Sequence, residues 1–466
     1  MPTLKFLGAI QQVTGSCYLV ETAQGKILLE CGMYQGEVKS EKIPERLFSF
    51  DPGTIDAVIL SHAHLDHSGL LPKLTRVGYR GPIFATGPTR DLLEVMLKDA
   101  AFLQEKDIEW ENRMRLRTGK EPIEPLYDLK DAENTLDLLK SLDYNQRTKV
   151  IPGVELRFRD AGHIIGSAIV ELWVNENGNS KKIVFSGDLG NSFSPLLRDP
   201  EIIETADILL MESTYGDRDH RKADETLKEF KQVLDKAKDD CGNTFIPAFA
   251  VGRTQDILYH LGKFYRNGVM KQQKVFLDSP MATHVSEIYV QHRNLYNNED
   301  PEFNKAILSG WENWLPILSY TRTTKESMAL NTITSGAIII AGSGMCTGGR
   351  IRHHFKHNLW RENNHIVFTG FQAQGTLGRS LVDGAKRVRF MGQEFAVKSK
   401  VHTLGGFSAH AGQGQLLDWA GRFQGKRPHL YLVHGELDKM LALQNRFHEK
   451  YNWHANIPAS GETLQL

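Results

Sequence analysis

Six residues, His62-Ala63-His64-Leu65-Asp66-His67, constrain this chain more than any others. They come one residue after the apolar run Ala57-Val58-Ile59-Leu60. An apolar run that ends this way reads as a strand delivering polar side chains to one edge of a sheet. Neutral imidazole nitrogen and carboxylate oxygen are donors that zinc prefers, and a carboxylate can bridge two ions. A single histidine is more often a satisfied core or surface residue. Three of them with Asp66 interleaved are not explained by packing, because four buried polar groups without a partner are costly.

At 466 residues the chain is too long for one ordinary core, so two or more domains are expected. It is 41% hydrophobic and 24% charged, a globular composition. Lys+Arg and Asp+Glu both total 56. A polyanion site must therefore be a local concentration of charge. Cys17, Cys31, Cys241 and Cys346 are widely spaced, which argues against a disulfide framework and a cysteine zinc site and fits a reduced, cytoplasmic compartment. The first residues read as a strand entering a turn rather than a signal peptide. The most apolar run, Ala337-Ile338-Ile339-Ile340-Ala341, is of strand length and too short to cross a bilayer.

The first segment is rich in strands, with a hairpin turn at Thr22-Ala23-Gln24-Gly25. Residues 89–140 carry helical spacing, as in Leu92, Leu93, Met96, Leu97 and later Leu136, Leu138, Leu139, Leu142, and are read as helices over or beside the site. Strands resume at 154–158, 168–174, 183–186 and 208–211. Chemistry-type residues sit at their ends: His163, Asp188 and Glu212. From about 217 the chain alternates strand and helix, implying a parallel sheet covered by helices. Near Lys398 it returns to strand–loop units, Val401–Leu404 and then Leu430-Tyr431-Leu432-Val433 running into His434.

A catalytic zinc needs three protein ligands and an open position. The expected assignment puts His62, His64 and His163 on one zinc ion, Asp66, His67 and His434 on a second, and Asp188 across both. Two ions about 3.5–4 Å apart can hold a hydroxide and clamp an in-line displacement at phosphorus. Alone, His163 reads equally as a turn histidine, and Asp188 as a turn former or helix cap.

These motifs resemble the metallo-β-lactamase fold at His62–His67, His163 and Asp188. They resemble the β-CASP nucleases at Glu212-Ser213-Thr214-Tyr215-Gly216, Ser408-Ala409-His410 and Val433-His434-Gly435-Glu436. That family includes the endonuclease subunit of eukaryotic pre-mRNA 3′-end cleavage and its bacterial and archaeal relatives. The resemblance implies an α/β protein, an αββα metallo-β-lactamase sandwich with an inserted helix-covered parallel-sheet β-CASP domain. It divides the chain into 1–216, 217–395 and 396–466, the first and last forming the sandwich. RNA-acting members have a histidine at the position of His434, whereas DNA-repair relatives typically do not. One departure is Glu30, where the family usually has Asp at a position that supports the site.

The activity implied is a zinc-dependent ribonuclease with two Zn2+ ions. A metal-bridged hydroxide would attack the phosphodiester, and His410 with Glu212 would protonate the 3′-oxygen leaving group. Asp66, Glu212 and His410 are the candidate catalytic residues. Endonuclease action is favoured and 5′-exonuclease action left open; the partner is RNA, single-stranded by preference, with no membrane and the homodimer left open. The glycine loops 342–349 and 370–378 follow strands and could approach phosphate oxygens. Residues 350–395 hold eight basic and three acidic side chains, and 217–395 hold 24 basic and 19 acidic, the sign an RNA-facing surface needs. The competing readings are a small-molecule thioester or lactone hydrolase of the same sandwich and a non-catalytic RNA-binding subunit. The inserted segment and extra motifs argue against the first, the intact ligand set against the second. Trp311, Trp314, Trp360 and Trp453 suit either an interface or the core.

Overall fold

The computed structural model describes residues 2–34, 47–176, 178–192 and 194–466. The chain divides into two compact units: Met1–Ser192 with Asp199–Asp219 and His410–Leu466, and Phe193–Arg198 with His220–Ala409.

The first unit is built on two seven-stranded sheets. One runs, edge to edge, Thr463–Gln465, Thr3–Gly8, Cys17–Thr22, Gly25–Leu29, Ala57–Ile59, Ile83–Thr86 and Leu139–Leu142. The other runs Ala455–Asn456, His429–Val433, Ile208–Glu212, Asn179–Phe185, Ala168–Glu176, Val154–Asp160 and Thr148–Ile151. Val154–Asp160 alternates strictly between buried and half-buried, as a strand with one apolar face does. Its Leu156 and Phe158 join Val170, Leu172, Phe185 and Leu210 against Leu4, Phe6, Val20, Ile27 and Ile59 of the first sheet, so the two inner faces share one core. The central strands Ala168–Glu176 and Ile208–Glu212 are almost wholly buried. Their outer residues, Ile169, Leu209 and Met211, pack on Leu416, Leu417, Leu443 and Phe447 of helices Gln413–Ala420 and Leu437–Tyr451. Helix Gly87–Arg117 buries Leu92, Leu93, Met96 and Leu97 against the other sheet's far side, which makes the layering αββα.

Residues 139–142 differ from their helical reading. Helix Leu129–Leu136 ends first, and Leu139–Leu142 pairs in parallel with Ile83–Thr86 as an edge strand. Four residues with leucines three apart satisfy a helical pattern by chance, and the sheet edge decides.

The second unit holds a six-stranded sheet, all parallel, in the order Leu318–Tyr320, Lys274–Leu277, Ala337–Ala341, Thr244–Pro247, His365–Phe368, Lys400–Thr403. Helices Ala223–Asp239, Arg253–Arg266, Pro280–Gln291 and Gly349–Asn358 connect it. Lys400–Thr403, placed by sequence in the last segment, is the sheet's edge strand. The strand itself is expected at 401–404; its half-buried or exposed side chains do not reveal which sheet it joins. Trp311 and Trp314 are core residues whose indole N–H groups each donate to a carbonyl, of Ser286 and Tyr259, at 3.0 Å. Trp453 is also buried, and Trp360 is exposed.

Candidate metal centre

Several strand ends of the first unit converge. Ala57–Ile59 runs into Ser61 and His62, Val154–Asp160 into His163, Asn179–Phe185 into Asp188, and His429–Val433 into His434. Because Val154–Asp160 and Asn179–Phe185 both pair antiparallel with Ala168–Glu176, they point the same way, as do Ile208–Glu212 and His429–Val433. One sheet edge therefore receives four chemistry-bearing ends.

All seven predicted ligands meet there. Asp188 and the histidines His62, His64 and His163 offer atoms within 4.8 Å of one another, and Asp66, His67 and His434 form a second such group. His62 Nε2 and His163 Nε2 lie 3.1 and 3.2 Å from His64 Nδ1. His67 Nε2 lies 3.2 Å from His434 Nε2. Asp188 stands between the groups. Its Oδ2 is 3.5 Å from His62 Nε2 and 3.6 Å from His163 Nε2; its Oδ1 is 3.4 Å from His67 Nε2 and 3.5 Å from His434 Nδ1.

This geometry fits a cation. Three nitrogens aimed at one point cannot all be satisfied by one another, since a neutral imidazole has one donor and one acceptor. Asp188 Oδ1 is buried and accepts no hydrogen bond among the described residues. Burial holds His62 well below the usual imidazole range and His64 at about 4, the neutral form that ligates. Burial would raise Asp66, but the His434 hydrogen bond and the His67 charge bring it to about 2, an anion.

Supporting groups fix these rings. Glu30, fully buried, accepts from the Ser61 N–H at 2.5 Å and the Ser61 hydroxyl at 3.1 Å, and its Oε2 lies 2.6 Å from His67 Nδ1. Its φ of 64° turns the chain at the end of Gly25–Leu29. The same Ser61 hydroxyl is 2.9 Å from His62 Nδ1. One carboxylate thus orients a histidine in each group, the two-tier arrangement common around bound metals. Thr214 Oγ1 lies 3.1 Å from His434 Nδ1, and His434 itself sits at φ 51°, a strained backbone tied to Ala9 O at 2.8 Å. Gly32 lets the turn after Glu30 press against the short ligand helix Leu65–Ser68: a Cβ there would stand 1.7 Å from Asp66 O. Neither Ser61 nor Thr214 was singled out from sequence; a hydroxyl directly preceding His62 was the available signal.

His410 and Glu212 lie at the same edge. His410 Nδ1 is 3.3 Å from the Glu212 carboxylate and 3.9 Å from Asp188 Oδ2. Glu212 is anchored by the Leu189 N–H at 2.6 Å. Burial alone would depress His410, but the Glu212 charge and hydrogen bond, then Asp188, carry it up to about 9.

Comparison with known proteins agrees with this architecture. Three family models match: the metallo-beta-lactamase superfamily over residues 11–79, the Beta-Casp domain over 254–381, and a Zn-dependent metallo-hydrolase RNA specificity domain over 394–458. A ribonuclease of Thermus thermophilus is 41% identical, with 94% of each chain covered. The chain belongs to the β-CASP family of the metallo-β-lactamase superfamily. Its members include the transcription termination factor FttA of Methanococcus maripaludis, 31% identical over 99% of this chain and 71% of that one. A crystal structure of a protein of unknown function from Enterococcus faecalis V583 shares the fold, with a TM-score of 0.56, 14% identity and both chains fully covered. As a β-CASP protein the chain is a metal-dependent hydrolase, and its αββα unit and helix-covered parallel sheet are that family's two parts.

Proposed function

We propose that this protein is a zinc-dependent ribonuclease, cutting RNA internally, with two zinc ions as its cofactors. The observation that carries the reading is Asp188 between two histidine-rich donor groups, with His410 Nδ1 3.9 Å from its Oδ2. His62, His64 and His163 would hold one ion, Asp66, His67 and His434 the other, and Asp188 both. Bound there, zinc supplies Lewis acidity and lowers the pKa of water to about 7. The printed names of the relatives, a ribonuclease and a transcription termination factor, support RNA as the substrate.

The chain's own residues supply the remaining chemistry. A leaving 3′-oxygen needs a proton, and an oriented imidazolium near neutral pH gives one efficiently. Glu212 fixes Nδ1 of His410, so the transferable proton is the one on Nε2. Glu30, through His67 and Ser61, keeps the ligand rings from rotating. No helix among the described residues is long and apolar enough to cross a membrane. We place the protein in the cytoplasm, where single-stranded RNA is at hand.

Incubation of end-labelled RNA with and without a chelator, beside the Asp66→Ala variant, tests this. Both treatments are expected to abolish cleavage, and elemental analysis to find two zinc ions per chain. Products should carry a 5′-phosphate and a 3′-hydroxyl; a 2′,3′-cyclic phosphate, or cleavage surviving in the variant, refutes the mechanism.

A further inference from the structure

The second unit carries a surface whose positive charge its own side chains leave largely unbalanced. Helix Gly349–Asn358 buries Ile351, His354, Phe355 and Asn358 and exposes His353, Lys356 and His357. The hairpin Arg387–Phe390 and Gln393–Ala396 buries Val388 and Phe390 in the same core as Ile351 and Phe355. Strand alternation then turns Arg387 and Arg389 outward, and both are exposed. The Arg352 guanidinium lies 5.9 Å from the Phe390 ring centroid, so helix and hairpin are neighbours. Just past the helix stands Trp360, 56% exposed, with the Arg361 guanidinium 5.4 Å from its ring centroid.

Some of these cations are neutralised. Arg387 pairs with Glu394 at 3.0 Å, Lys398 with Glu362 at 3.1 Å and Arg350 with Asp278 at 2.7 Å. Arg352, Lys356, Arg361, Lys386 and Arg389 have no carboxylate partner among the described residues. In a chain of zero formal charge, five unpaired cations around one helix and hairpin repel one another. A polyanion relieves that repulsion. The exposed indole beside a guanidinium adds a flat face on which an unpaired base can stack, which a duplex does not offer.

We propose that helix Gly349–Asn358, the adjoining hairpin and Trp360 form a surface of the second unit that binds single-stranded RNA. The cations track phosphates and Trp360 stacks one base. The ribonuclease reading supplies the identity of the strand, and affinity is measured apart from cleavage.

The test is fluorescence anisotropy with a labelled oligouridylate longer than a site of roughly 4–16 nucleotides. It is run in the Asp66→Ala background so that the strand survives. Lys356→Glu with Lys386→Glu and Arg389→Glu, all exposed positions, is expected to weaken binding at least about tenfold. The slope of log affinity against log salt should also fall by about 2, from three lost phosphate contacts. Trp360→Ala is expected to weaken binding about tenfold with the slope unchanged, because stacking releases no counterions. Thermal midpoints equal to the parent's confirm that both variants fold. Unchanged affinity and slope in the triple variant overturn the proposal. So does retained RNA binding with loss of polyglutamate binding, which would assign the surface to an acidic protein. If the parent chain, with Asp66 restored, cleaves no RNA, the ribonuclease reading fails while the binding result still decides this surface.

Discussion

Asp188 and Asp278 are both buried carboxylates surrounded by polar side chains, 2% and 0% exposed, yet their surroundings differ in kind. Asp278 is saturated by its own chain. Its Oδ1 accepts from the Thr321 hydroxyl at 2.5 Å and Arg350 Nη1 at 2.7 Å; its Oδ2 accepts from the Ser327 hydroxyl and His354 Nε2, both at 2.6 Å. Asp188 faces imidazole nitrogens at 3.4–3.6 Å, and its Oδ1 accepts no hydrogen bond among the described residues. A buried anion must be neutralised and hydrogen-bonded to be tolerated. Where the chain provides donors in good geometry, the cluster is a structural knot. Where it provides more acceptors, the cluster is built for a cation from outside.

That contrast breaks if substitution affects both clusters alike. Asp188→Ala removes a carboxylate whose two oxygens face nitrogens of both histidine groups. Cleavage is expected to fall by about 10²–10³-fold, in the range of losing a central electrostatic group from an active site, and zinc content to drop below that of the parent. Asp278→Ala leaves the Arg350 guanidinium and His354 without their anion. Denaturant unfolding should show a loss of roughly 3–5 kcal/mol, the cost of stripping one partner from a buried pair, while the folded variant keeps its zinc. Loss of zinc in the Asp278 variant would erase the distinction.

The acid side of the stability curve sharpens it. Burial opposes ionisation of Asp278, but the hydrogen bonds from His354, Ser327, Thr321 and Arg350 hold its carboxyl well below the ordinary range. A depressed folded value stabilises above the unfolded pKa, about 3.9, and that stabilisation disappears as the pH falls toward the folded value. The stability difference between the parent and Asp278→Asn should therefore be flat from pH 7 to about 5 and shrink below about 4. A difference that stayed constant through pH 3 would mean that the charge of Asp278 is not what the four donors stabilise.

The two clusters were unequally legible. His62–His67 stand out because imidazoles are scarce and six adjacent residues hold three of them. His163, Asp188 and His434 became candidates because each follows or adjoins a strand, and strand direction gathers them at one edge. The Asp278 knot left no trace in sequence. Its partners Thr321, Ser327, Arg350 and His354 lie 43 to 76 residues on, and only the parallel sheet brings them together. Lys400–Thr403 was legible as a strand but not as one of the second unit, because its pairing with His365–Phe368 is what assigns it there.

The smallest effect concerns Ser61, which separates the two halves of the metal centre. Glu30 Oε2 lies 2.6 Å from His67 Nδ1 and reaches His62 only through the Ser61 hydroxyl. Ser61→Ala leaves the 2.5 Å bond from the Ser61 N–H to Glu30 and the contact with His67 in place. It removes the hydroxyl's two contacts, with Glu30 Oε2 at 3.1 Å and with His62 Nδ1 at 2.9 Å, and with them the link from Glu30 to His62. Stability should fall by about 1–3 kcal/mol, the net worth of two hydrogen bonds. Zinc affinity should fall roughly 10–100-fold, the usual cost of losing a group that orients a ligand, and on one side only. Competition with a chromogenic chelator should then show one tight and one weakened site per chain, whereas Glu30→Gln should weaken both. Equal weakening of both sites by Ser61→Ala would mean that the hydroxyl supports the pocket as a whole rather than His62 within it.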